Sequence, residues 1–196
     1  ISKIDPSGVV TTFATDGLAG PVGIAIDAND NLFVANCGDH TVRMIAADGT
    51  STPFASSSLF NCPNGIALAN DGNLYVANFG NGAVVRVAPN GAATAFAQIP
   101  GGNNGHITYA NGVLYVVARS ANQIYELTLN ADLTLLAGTG DRGLWDGAAL
   151  TARLSLPNDI AVSPDGSTLY FNDVVNLQGT QTISPVVIRQ LVLDGI

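Results

Sequence analysis

One motif is written four times in this chain. It is plainest at Pro63-Asn64-Gly65-Ile66-Ala67-Leu68-Ala69-Asn70-Asp71-Gly72-Asn73-Leu74-Tyr75-Val76-Ala77-Asn78. A short apolar strand runs into a tight polar turn, and a second strand alternates large apolar with small residues. Gly and Asn accept the positive φ such turns need, so Asn70-Asp71-Gly72-Asn73 is a hairpin signal. The motif recurs from Gly23 to Asn36, from His106 to Val116 and from Asp159 to Asp173. A period of roughly 40 residues built only of strands means units stacked side by side. Chemistry must therefore be sought at equivalent positions of the repeat.

Each unit continues in the same way. A third strand follows (Thr41–Ile45, Ala83–Val87, Gln123–Leu127), then a polar turn, then a fourth (Thr52–Ala55, Thr94–Ala97, Leu133–Leu136). Four antiparallel strands in a unit of this length make a propeller blade, with strands a to d. Ile1–Ile4 and Val9–Ala14 read as strands c and d, and Val187–Leu191 as another c. The expected fold is an all-β propeller domain over 1–196. It has a partial blade at 1–16, blades at 21–56, 63–98 and 105–137, a long connection at 138–157 and a partial blade at 158–194. The phase of the ends reads as a slice of a larger, six-bladed ring with about two blades missing. The other closure is a four-bladed ring in which Val10–Ala14 completes the last blade and residues 1–4 fray.

Charge narrows the partners. A net charge of −8 with seven Lys and Arg scattered over the repeats excludes a phosphate backbone, which needs a basic patch. No stretch approaches the roughly 20 apolar residues of a membrane span. The chain opens on Ile1, which is read as a processed or excised segment. Scarce Lys with abundant Gly, Ala, Asn and Thr reads as a secreted bacterial protein, extracellular or periplasmic. Its expected partner is a small molecule, a glycan or a protein, and its oligomeric state is open.

Strand order puts the a–b and c–d turns on one face, the bottom, and the irregular b–c and d–a connections on the other. Function concentrates on irregular loops of a rigid scaffold, so the top is the expected site. It carries Arg119 in the Arg119-Ser120-Ala121-Asn122 connection and Trp145 in the long loop, read as a plug or an exposed contact, with plugging preferred. Cys37 and Cys62 lie on top near one blade boundary, where a disulfide would imply an oxidising compartment. The other reading is two buried thiols that never meet. Asn36, Asn78 and Asp173 end b strands at equivalent places, with Ala118 as the exception, and read as hairpin locks. Asp173 is also a candidate ligand contact. His40 reads as a turn residue, and Asp27, Asp30 and Asp71 as turn formers.

These residues resemble the NHL-repeat and SMP-30/gluconolactonase/LRE-like propellers. The carriers are the repeated Pro-x-Gly-Ile-Ala, the Asp-Gly-Asn-Leu-Tyr-Val-Ala-Asn hairpin and the long connection from Ala137 to Pro157. The superfamily holds lactonases, lyases and plain binding modules alike. In its lactonases a divalent cation on the axis is held by a Glu, Pro-Asn-Gly-type asparagines and an Asp. Asn64 and Asn158 match the asparagines and would suit Ca²⁺ or another divalent cation. Val22 and Gly105 fill the remaining places, and no acidic residue is read at an axial position. His106, beside the axis where other repeats have Gly or Asp, is the candidate catalytic base or ligand contact. Two functions are expected: a binding or scaffold module using its top face, or a metal-dependent lactonase-type hydrolase or lyase.

Overall fold

The computed structural model describes residues 1–175 and 186–193. Residues 176–185 and residue 194, assigned above to the last partial blade, lie outside the described residues. The chain forms a partial β-propeller. Three four-stranded antiparallel sheets follow one another, each with its strands in chain order. The first holds β3 (Pro21–Ile26), β4 (Leu32–Asn36), β5 (Thr41–Ile45) and β6 (Ser51–Ser56). The second holds β7 (Pro63–Leu68), β8 (Leu74–Asn78), β9 (Ala83–Val87) and β10 (Ala93–Gln98). The third holds β11 (Asn104–Ala110), β12 (Val113–Ala118), β13 (Gln123–Thr128) and β14 (Leu133–Ala137).

The ends are partial sheets. β1 (Ser2–Ile4) pairs with β2 (Val10–Thr12), Ser2 opposite Thr12. At the other end β15 (Ile160–Val162), β16 (Thr168–Val174) and β17 (Val186–Val192) form a three-stranded sheet. β2 pairs with β1 and not with β17, so the four-bladed closure is not the one adopted. The reason is apolar: Phe13 and Ala14, just beyond β2, pack with Ile1, Val34 and Ile45 against the first sheet.

Strand alternation decides what each blade shows its neighbour. Phe33, Ala35 and Val42 of the first sheet meet Ile66, Val76 and Val85 of the second. Tyr75, Ala77 and Val84 of the second meet Ile107, Leu114 and Val116 of the third. Tyr115, Val117 and Ile124 meet Ile160, Leu169 and Phe171 of the last. Each fully buried side chain of this kind contributes about 1.5–3 kcal/mol. Where no neighbour follows, the same positions stay open. Ile24 is 49% exposed, whereas its equivalents Ile66, Ile107 and Ile160 are buried. Tyr170, Ile188 and Val192 are exposed on the last sheet.

The polar turns fold as their sequences dictate. Asp27 accepts the Asn29 and Asn31 amides at 2.9 Å, and Asp71 accepts the Asn73 amide at 3.0 Å. The innermost strands β3, β7, β11 and β15 stand side by side around the axis. They come so close that a Cβ on Gly65 would lie 2.6 Å from His106 Cα, and one on Gly23 would lie 2.4 Å from the Asn64 carbonyl oxygen. This is why the repeat writes Pro-x-Gly.

Candidate functional site in the axial groove

The four innermost strands enclose a groove of about 480 Å³. Its walls include Val22, Ile24 and Ile26 of β3 and Ile66 of β7, with Thr108 and Tyr109 of β11 further down. At its rim stand His106 and Asp159. They occupy the repeat position directly before the conserved-in-pattern isoleucine, where the first two blades have Gly23 and Gly65. Two neighbouring blades thus replace hydrogen by functional side chains, and the replacements meet. His106 Nδ1 lies 3.2 Å from Asp159 Oδ1. A carboxylate only accepts, so in the neutral imidazole the proton belongs on Nδ1, the nitrogen facing it, and Nε2 is the acceptor. Asp159 Oδ1 also accepts the Ile160 amide at 2.9 Å, which fixes the carboxylate at the mouth of β15. The His106 backbone N–H donates to the Asn158 carbonyl at 2.7 Å, locking the two strands in register.

Asp159 corrects the sequence reading, which found no acid on the axis. Three of the innermost strands, β3, β7 and β11, carry a bulge at their start: Asn104 pairs with Ala118, yet Ile107 pairs with Val116. One extra residue there changes which side chain points inward. Asn64 is buried and does not line the groove, and its Nδ2 has no hydrogen-bond partner. The backbone of Asn158 is engaged at both ends, its N–H donating to Asn172 Oδ1 at 3.0 Å. A hard cation takes six to eight oxygens. The groove offers one carboxylate and one imidazole, and among the described residues no group of three or more His, Cys, Asp or Glu comes together. That donor set does not fit a divalent cation.

The remaining candidates sit in the top connections. Cys37 and Cys62 form a disulfide between the b–c loop of one blade and the d–a loop of the next. His40 accepts the Cys62 amide through Nδ1 at 2.7 Å, both residues having positive φ. Arg119, in a short 3-10 turn, donates Nη1 to the Leu156 carbonyl at 2.8 Å, and Asn122 Oδ1 accepts the Leu156 amide at 2.9 Å. Leu156 has a φ of 52°, costly for a branched side chain before proline, and these two bonds hold it there. Burial, with Arg142 nearby, lowers the pKa of Arg119.

Asp173 and Trp145 come together on a third residue, Arg189. Its Nη1 donates to Asp173 Oδ2 at 2.7 Å and its Nη2 to the Trp145 carbonyl at 3.1 Å. Burial pushes the Asp173 carboxyl above its usual range, with Arg189 pulling the other way. Asp173 also accepts the Ser155 amide at 2.9 Å, just as Asn36 and Asn78 donate to Gly17 and Leu59. These strand-end residues tie down the connection that enters their blade, and two of them also bridge their own b–c hairpin, Asn36 donating to Thr41 Oγ1 at 3.4 Å and Asp173 accepting from Arg189. Trp145 does not plug the ring. Its backbone pairs with Arg153 at 2.9 and 3.2 Å, and the ring, 68% exposed, lies under the Arg153 guanidinium.

The geometry defines a partial β-propeller with a polar pair on the rim of its axial groove. The family described as NHL repeat matches residues 18–43 and 60–87, within the first two four-stranded sheets and the connections entering them. No curated protein matches the chain. Among solved structures it is similar to an auxiliary nutrient binding protein from Bacteroides thetaiotaomicron, at 19% identity over 97% of this chain and 49% of that one, with a TM-score of 0.75. It is also similar to a catalytically inactive virginiamycin B lyase from Staphylococcus aureus with quinupristin, at 18% identity, 96% and 61% coverage and a TM-score of 0.68. A chain of a nidogen/laminin complex is similar at 16% identity, 88% and 65% coverage and a TM-score of 0.72. At such identities the likeness is one of fold. The chain spans about three fifths of the length of the lyases it matches.

Proposed function

We propose that the protein is a binding module that holds a small molecule in its axial groove and works outside the cytoplasm. One observation carries the reading: the His106–Asp159 pair, 3.2 Å apart, stands at the two repeat positions that have lost their glycine. A groove of about 480 Å³, its accessible lining more polar than apolar, is within the size range of small-molecule sites. The disulfide supports an oxidising compartment. A nutrient binding protein and a lyase share this fold, and fold alone does not choose between them.

The test is a small-molecule screen with binding mapped by backbone-amide NMR. Shifts at Val22, Thr108 and Ile160 are expected. Shifts confined to residues 138–157 or to the bottom turns would place the ligand elsewhere and overturn the reading. A second reading, a hydrolase or lyase of the type the SMP-30/gluconolactonase resemblance implies, draws support from the same pair. A carboxylate behind Nδ1 leaves Nε2 as a general base. Turnover of a lactone panel that is lost in both His106→Ala and Asp159→Asn would favour it.

A further inference from the structure

The rim of the groove names the chemistry of its ligand, an inference that rests on the binding reading above. Two acceptors face the ligand space without a donor of their own. Asp159 uses Oδ1 for His106 and for the Ile160 amide, and Oδ2 has no partner among the described residues. With Nδ1 turned to the carboxylate, His106 Nε2 likewise has no partner among the described residues. A ligand group that satisfies both must donate at least two hydrogens. Charge then separates a cation from a neutral donor. Asp159 is 62% exposed in its side chain, no Lys or Arg lines the groove, and the chain carries a net charge of −8. An anion would meet this carboxylate in a field of its own sign, while an ammonium would be drawn in. In a lining that is otherwise more polar than apolar, Val22, Ile24 and Ile26 of β3 are exposed and give one strand an apolar face.

We propose that the axial groove binds small amphipathic amines, the ammonium seated between His106 and Asp159 and the apolar body lying along β3. An ammonium has three donors and no acceptor, the complement of what the rim presents. The wall of β3 takes a flat or aliphatic body of limited length, because the groove holds only about 480 Å³.

Isothermal titration with three probes of one shape tests this: phenethylamine, phenethyl alcohol and hydrocinnamate. The full chain should bind the amine at least about tenfold more tightly than the alcohol, with hydrocinnamate weakest. Asp159→Asn keeps an acceptor for the Ile160 amide and preserves the fold, and it should reduce the preference for the amine to near unity. Raising the salt should weaken the amine and leave the alcohol unchanged. Equal binding of all three probes, with NMR shifts at Thr108 and Ile160, would overturn the amine assignment and leave the groove as a binding site. Tighter binding of hydrocinnamate, or no binding of the amine at millimolar concentration, would also overturn it. Amine binding that maps outside the groove, unchanged in Asp159→Asn, would defeat both this assignment and the binding reading.

Discussion

Gly65 shows how much a single hydrogen decides. Any Cβ there would meet backbone, His106 Cα and Ile107 N both at 2.6 Å, and backbone of a neighbouring blade has no rotamer with which to give way. Gly65→Ala is therefore expected to destabilise the fold by about 1–3 kcal/mol, more than a surface substitution does. Urea denaturation of the variant beside the parent measures it; an unchanged midpoint would mean that the blades can move apart to admit a methyl group at no cost. The same position explains where reading by sequence ran short. Pro-x-Gly-Ile-Ala is legible as a repeat, and so is the departure at His106. Which of the three residues before the isoleucine faces the axis is not, because the bulge between Asn104 and Ile107 has no signature of its own. Asp159 was hidden for a related reason: β15 begins to pair only at Ile160, so no strand alternation marks which way the residue before it points. Trp145 was hidden for another. Its loop has no period to fix a direction, and only the pairing with Arg153 turns the ring outward.

At the scale of an element, the turns were the most legible part. The bottom turns at Asp5, Asp27, Asp48, Asp71 and Asp165 are each organised by a carboxylate that accepts from residues two to four further on. Ser7 donates to Asp5, Asn31 to Asp27 and Thr50 to Asp48, and each bond holds the carboxyl below its ordinary value of 3.8. Ser163 and Ser167 take Asp165 furthest, down to about 2. The folded chain thus resists protonation where the unfolded chain accepts it. The stabilisation is fully present above the ordinary carboxylate range and is lost as the pH falls from about 4 towards 2. Urea midpoints measured from about pH 5 downward should fall steepest in that window, and Asp165→Asn should flatten the lower part of the slope. A curve that is flat to about pH 2 would mean the turns form equally well without their charge.

The whole molecule is a row. Each sheet packs on the sheet before and the sheet after, and the apolar clusters are shared only between such neighbours. Stability in such arrays is nearly a sum of units and nearest-neighbour interfaces, so the interior should open last. Hydrogen exchange is expected to be slowest in β8 (Leu74–Asn78) and β12 (Val113–Ala118), whose side chains are almost wholly buried, and fastest in β1 and β17. Uniform protection across all five sheets would show a single cooperative unit instead. The phase of the blades was readable at this scale from strand order, as was the placement of Cys37 and Cys62 on top near one blade boundary; that they bond was seen only in the structure. The open faces of the first and last sheets were not visible as surfaces until the packing was seen, since Ile24 and Ile66 are spelled alike and differ only in what lies beside them.

A scaffold assembled from copies has a difficulty: identical parts give a centre where every direction is equivalent and nothing can be held in one orientation. Here the uniformity is broken at one spot, where imidazole and carboxylate stand in place of bare backbone. That asymmetry gives the pore a compass point. A guest entering it would have a preferred way round, although the walls that surround it are near-replicas of one another.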